Sequence, residues 1–375
     1  MHIISPYSSG LKLAVAAPSS AASGVIMSQG IHVKVEPWQL LAPSQMTDVG
    51  TELSTKTWLR GAMFPIRWWD HEPSQGVFDK TKLETYYDMC ASRNKMCTFL
   101  IGSRDFQVEV FNPTESPILP ADLLTTNGTY SNGQAKYLNM WAYEGKDADQ
   151  GGIWAVKGYN LNLYDVVIRD RFLAVMQYIA DNFDGRPYFA GSMFVESSIG
   201  QPFEGFVGGN SSALHYAGML DIFIRAKAMF KKSQFIPDIN ATTSFINDFF
   251  AVPAGHALTH RLPWSTSNMF TIATGNVALV QSKIPSLTGK IWIMSQIQAH
   301  DMNSVDGSYP GTPPTKEYLY LRARNTHLAT HLYVQRNTPS VAPFNWDGFV
   351  SYMDSSPYAS DPYGGLSQTL PDIII

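Results

Sequence analysis

The feature that most restricts what this chain can fold into is its alternation of short apolar runs with helix-length amphipathic segments. Eight runs rich in β-branched and aromatic residues lie at 31–36, 62–68, 96–102, 188–196, 241–247, 268–273, 290–297 and 331–336, the fifth and sixth being brief. Between them fall helical patterns. At 161–183, Val166, Leu173, Met176, Ala180 and Phe183 keep one face apolar; Asp79 can cap a helix carrying Leu83, Tyr86, Tyr87 and Cys90; further helices are expected near 213–232 and 315–328. Repetition of this kind builds a parallel sheet, because returning to a parallel neighbour takes a helix-sized crossover. Eight repeats without a break in composition predict an α/β fold, a single closed (β/α)8 TIM barrel over 27–375. An open doubly wound sheet is the competing arrangement. Residues 1–26, mildly apolar over 11–22 and without a cationic start, are expected to be a leader outside the barrel.

One segment breaks the rhythm. Residues 103–160, rich in Asn, Gly, Tyr and Pro, are inserted between the third strand and the long helix. Because they follow a strand they belong on the face where barrel active sites are built, and they are expected to cover one side of a cleft. Asp105 lies at the start of this insertion, and Trp141, Tyr143 and Trp154 within it either form a wall on which sugar rings stack or staple the insertion to itself. No repeat of 20–50 residues runs through the sequence, which removes solenoids and propellers.

Composition narrows the partners. With 27 basic against 31 acidic residues the net charge is -4, and no dense Lys/Arg run is present, so nucleic acid is not an expected partner. Only 15% of residues are charged while 13% are aromatic, a balance that suits uncharged, hydroxyl-rich ligands. No stretch reaches 18 uninterrupted apolar residues, so no membrane span is expected. Cys90 and Cys97 read as core thiols. His327 and His331 have ligand-like spacing but straddle a helix–strand boundary, so no metal site is assigned. No Gly-x-Gly-x-x-Gly, phosphate-binding loop or nucleophile elbow occurs, and no cofactor is expected.

The most informative motif is Phe64-Pro65-Ile66-Arg67-Trp68-Trp69-Asp70-His71-Glu72-Pro73-Ser74-Gln75-Gly76-Val77-Phe78-Asp79. Pro73 and Gly76 shape a tight turn, Phe78 packs beneath it and Asp79 starts a helix. Here the chain resembles clan A (β/α)8 glycoside hydrolases, of the family 42 and family 5 kinds, whose second strand ends in Arg-x-x-Trp followed by Trp-x-x-Glu-Pro-x-x-Gly-x-Phe/Tyr-Asp. Trp69, Glu72, Pro73, Gly76, Phe78 and Asp79 fall in register with that pattern. Glu72 is read as a structural residue. A second point of resemblance is Gly191-Ser192-Met193-Phe194-Val195-Glu196, an apolar strand followed by a carboxylate, with Val195 where the clan has Asn. The resemblance implies that Glu196 is the general acid/base; apolar surroundings would raise its pKa so that it can protonate a leaving glycosidic oxygen.

The clan places its second carboxylate at the end of the seventh strand, and here the chain departs from the pattern. The run Ile291-Trp292-Ile293-Met294-Ser295-Gln296-Ile297-Gln298-Ala299-His300-Asp301 offers glutamines where a Glu belongs. Asp301 is the nearest acid and is taken as the second catalytic residue, in a position that an inverting arrangement tolerates better; Asp248 is a further candidate. Polar and aromatic residues at other expected strand ends and in the insertion complete a saccharide cleft: Arg67, Trp69, Asp105, Trp154, Asn247, Gln296, Gln298, His300 and Trp346. The expected activity is cleavage of O-glycosidic bonds in an oligo- or polysaccharide. A barrel that binds carbohydrate without cleaving it, on a cell surface or virion, is the alternative, favoured by the seventh-strand glutamines. A polysaccharide lyase is a third option, poorly served by the shortage of cations. An extracellular or virion-associated setting is expected over a cytoplasmic one.

Overall fold

A computed structural model describes residues 28–35, 43–102, 104–105, 137–146, 154–161, 163, 165–194, 211–239, 247, 264–266, 279, 282–283, 285–286, 292–297, 315–336 and 346–366. Eight strands form one sheet: β1 (Gly30–Lys34), β2 (Leu59–Ile66), β3 (Met96–Ile101), β7 (Phe189–Phe194), β8 (Gln234–Pro237), β9 (Trp264–Thr266), β10 (Ile293–Ile297) and β11 (His331–Gln335). Their order is β8-β7-β3-β2-β1-β11-β10-β9, and every pairing is parallel. The two edge strands, β8 and β9, approach each other, so the sheet curls into the (β/α)8 barrel that the alternation predicts. In barrel order β8 is the fifth strand and β10 the seventh.

Six of the eight strands lie where the apolar runs place them. The fifth and sixth do not. The sequence suggests 241–247 and 268–273, whereas the strands are Gln234–Pro237 and Trp264–Thr266. Gln234–Pro237 follows the helix Ser211–Met229 so closely that its first residues read as the end of that helix.

Alternation along the strands sorts two cores. Outward residues such as Phe64, Phe99, Phe194, Phe235, Ile293 and Leu332 pack under the helices. Inward residues Met63, Leu100, Met193, Ile236, Trp292, Met294 and Tyr333 fill the barrel. The helix Val166–Phe183 buries Ile168, Phe172, Val175, Met176, Ile179 and Phe183, and its first turn is capped by Asp165, whose Oδ1 accepts the Val167 N–H at 2.8 Å. Where β7 meets β8, Gly191 sits at φ 141°, and a Cβ there would stand 1.9 Å from the Gln234 carbonyl oxygen; only glycine fits.

Within the 103–160 insertion, 104–105, 137–146 and 154–160 are described. Its described parts form a three-stranded antiparallel sheet, β4 (Arg104–Asp105), β6 (Trp154–Leu161) and β5 (Tyr137–Lys146) in that spatial order. It starts within three residues of the end of β3. The 1–26 leader lies outside the described residues.

Candidate active site at the C-terminal mouth of the barrel

The end of β2 turns directly into the motif. Arg67 donates Nε to Asp70 Oδ2 at 2.5 Å, and Lys82 donates Nζ to Asp70 Oδ1 at 2.5 Å, so the guanidinium is steered by a carboxylate one helical turn away. Trp69 lies in the short helix Trp68–His71. Beyond it Glu72 is almost wholly buried. Its carboxylate accepts the Trp68 indole N–H, the Gly76 backbone N–H at 2.7 Å, and Arg171 Nε at 3.1 Å to each oxygen. Gly76 takes φ 76°, Val77 N–H closes the turn onto the Ser74 carbonyl at 2.9 Å, and Phe78 stacks on Tyr178 with ring centroids 4.8 Å apart. Asp79 Oδ1 accepts from Thr81 N at 2.8 Å and Thr81 Oγ1 at 2.7 Å, which starts the helix Thr81–Ala91. Glu72 is thus occupied in holding the turn to the helix Val166–Phe183, as its structural reading requires.

Above the apolar filling of the barrel the chemistry changes. Lys34, Leu100, Asp238 and Gln296 come from the first, third, fifth and seventh barrel strands or the residue just after, the alternate-strand arrangement of a barrel layer. Three of the four are polar. Lys34 donates Nζ to Gln296 Oε1 at 3.1 Å, and Gln296 donates Nε2 to Asp238 Oδ2 at 2.9 Å. An ammonium can only donate, so the Gln296 oxygen must face Lys34 and its NH2 must face Asp238. Asp238 and Gln296 are 2% and 1% exposed, while Lys34 is partly exposed. Below the layer Thr98 and Tyr333 hydroxyls meet at 3.4 Å, and burial pushes the Tyr333 phenol up beyond its ordinary range.

Of the residues expected in the cleft, Arg67 and Gln296 stand at the C-terminal ends of β2 and β10. Asp105 and Trp154 lie in the inserted sheet, Asp105 paired with Tyr159 and Trp154 with Lys146. Asn247 is helical and exposed, not at a strand end. Trp346 must be removed from the cleft. It opens the helix Trp346–Ser355 and is 1% exposed, its ring 6.2 Å from Trp58, which precedes β2 at the opposite end of the barrel. Glu196, Asp248, Gln298, His300 and Asp301 lie outside the described residues. Asp238 and Lys34 were not among the residues expected from sequence. Asp238 escaped because the fifth strand was placed too far along; the signal was Phe235-Ile236-Pro237-Asp238, a minimal apolar run delivering an acid.

Among the described residues no group of three or more His, Cys, Asp or Glu is placed to hold a metal. No described helix is long and apolar enough to cross a membrane.

No family model matches the chain. No curated protein matches it either. Solved structures do. Endo-glycoceramidase II from Rhodococcus sp., in a complex with a cellobiose-like imidazole, is similar with a TM-score of 0.51 and 13% identity, over 88% of this chain and 78% of that one. The same enzyme as a lactosyl-enzyme intermediate gives the same figures. The catalytic domain of the β-amylase from Paenibacillus polymyxa gives a TM-score of 0.50 at 8% identity, over 83% of this chain and 92% of that one. At such identities the likeness is one of fold, and it agrees with the barrel topology.

Proposed function

We propose that this barrel is a glycoside hydrolase acting on an oligo- or polysaccharide. The observation that carries the reading is the polar layer Lys34, Gln296 and Asp238, set at the C-terminal mouth where barrel enzymes build their sites. Buried polar groups gathered in a barrel mouth are a costly arrangement, and catalytic or binding chemistry is the common reason for one. The resemblance of 64–79 to the clan A motif and the shared fold with two enzymes named for sugar-cleaving activities support the same reading.

In this reading Glu196, two residues past the last residue of β7, protonates the departing glycosidic oxygen. The second carboxylate, from the sequence, is Asp301. Arg67, Trp69, Gln296, Gln298 and His300 bind sugar hydroxyls and ring faces, and the inserted sheet brings Asp105 and Trp154 to one side of the cleft. The test is direct. The protein is incubated with a broad panel of oligosaccharides, polysaccharides, glycolipids and 4-nitrophenyl glycosides, and released reducing ends or 4-nitrophenol are measured. Turnover of at least one member is expected. Glycan binding without cleavage of any would instead establish the non-catalytic alternative, which the glutamines at 296 and 298 of the sequence favour.

A further inference from the structure

We infer that Cys90 and Cys97 are a dithiol that closes to an intrachain disulfide, stapling the helix Thr81–Ala91 to β3 beneath the barrel surface. They are the only two cysteines of the chain. The inference is independent of the glycosidase reading.

Local backbone geometry brings the pair together. Leu83, Tyr87 and Cys90 are the buried residues of the helix, spaced so that they share the face turned to the sheet. The helix ends in a left-handed stop. Asn94 takes φ 56°, its N–H donates to the Ala91 carbonyl at 3.0 Å, and the Lys95 N–H donates to the Cys90 carbonyl at 3.0 Å. This double closure folds the chain back over the last turn, and Cys97 follows as the second residue of β3. Alternation places Cys97 on the outward side of that strand with Phe99 and Ile101, under the helices. Its N–H is held by the Tyr188 carbonyl at 2.7 Å. Both cysteines are 0% exposed and lie in the same core layer. Their nearness shows in the electrostatics: burial raises the Cys97 thiol well above its ordinary range, and the neighbouring Cys90 thiol adds to the rise.

The surroundings distinguish the two sulfurs. Lys95 donates Nζ to the Lys56 carbonyl at 2.9 Å and to the Leu59 carbonyl, and the ammonium held there is close enough to Cys90 for their charges to attract. A nearby cation favours the thiolate, so Cys90 is the attacking sulfur. In the step, Cys90 loses its proton and attacks one sulfur of a small disulfide such as oxidised glutathione, expelling the other half as a thiolate. Cys97 gives its proton to that thiolate, and its sulfur then attacks Cys90 Sγ. The second glutathione leaves and takes up the proton that Cys90 released. Two protein thiols are oxidised, and one glutathione disulfide is reduced to two thiols. Because neither sulfur reaches solvent, the exchange belongs to folding or to an opening of the last helical turn, and the finished bond is sealed from reductant. The extracellular or virion setting expected from the sequence is one in which such a bond persists.

The experiment uses the full chain in two preparations. One is incubated in glutathione buffers of increasing oxidised share until its thiol count stops changing; the other is secreted through an oxidising compartment, which reads a bond made during folding. Both are unfolded with a thiol-blocking reagent and weighed. In at least one, both thiols should disappear together, the mass should fall by two hydrogen atoms, and a peptide joining Cys90 to Cys97 should appear. The oxidised chain should stay monomeric with the circular-dichroism spectrum of the reduced one and melt at least about 2 °C higher. Cys97→Ser should melt at one temperature in oxidising and reducing buffers. Two free thiols in both preparations, glutathione left on the protein, a disulfide between chains, or an oxidised form that melts no higher would overturn the inference, as would an equal rise in Cys97→Ser. If Cys97→Ser fails to fold, the mass and the linked peptide of the wild type decide.

Discussion

Arg171, on the helix Val166–Phe183, donates its Nε to both oxygens of Glu72 at 3.1 Å. The two side chains are 7% and 1% exposed, so this is an ion pair taken out of water. It ties the turn after β2 to a helix about a hundred positions along the chain, across which the inserted sheet is spliced. Replacing either partner alone takes this ion pair from the other in the interior. Arg171→Met and Glu72→Gln are each expected to cost about 3–5 kcal/mol in urea-induced unfolding. The double variant should cost clearly less than the sum, because both single changes remove the same pair. Additive costs would show that the pair does not act as a unit.

Acid should unfold this protein through its buried histidines. Burial away from water lowers His32 to about 3, against smaller opposing help from the Ser28 carbonyl. It lowers His71 and His327 to about 4 each, and pushes His331 well down, with His32 and Arg60 adding to the effect. All four are 0–1% exposed. Their folded-state values lie below the unfolded value near 6.5, so the unfolded chain takes up protons that the native chain refuses. The sign follows: stability is insensitive to these groups above about pH 6.5 and falls as pH drops toward 4. Each contributes up to about 1.4 kcal/mol per pH unit in that window. Urea midpoints measured from pH 7.5 to 4.5 should show this loss, and His71→Asn should make it shallower. A flat profile would contradict the burial of these rings.

The inserted sheet pairs within itself, β4 with β6 and β6 with β5, so it can be removed without opening the barrel ladder. Replacing 104–161 with a short Gly-Ser linker should leave a folded barrel by circular dichroism. It should also weaken binding of the glycan that the wild type cleaves or binds. Unchanged affinity would remove the insertion from the cleft.

The parts of the fold legible in sequence were those with enough residues to show a period. Six barrel strands and the helix Val166–Phe183 carry runs long enough for apolar residues to sort onto one face. Trp264–Thr266 has three residues and Gln234–Pro237 four, too short to alternate visibly, and the second abuts a helix. That displacement hid Asp238. Nothing local distinguishes Lys34 within the 31–36 run; the closed barrel is what brings its Nζ to Gln296. Trp346 is the opposite case. It follows the last strand in sequence, but a helix carries it to the far end of the barrel against Trp58. At 64–79 the turn and the helix start are legible because both are local, whereas the partners of Phe78 and Glu72, Tyr178 and Arg171, come from a distant helix.

The glycosidase proposed above needs Glu196 to protonate the departing oxygen. Wild type and Glu196→Gln are compared on two substrates sharing one sugar: an unactivated glycan and an aryl glycoside whose leaving group needs no proton. A loss of at least ~100-fold on the glycan and a much smaller loss on the aryl glycoside are expected. Full activity of Glu196→Gln on the glycan would contradict it.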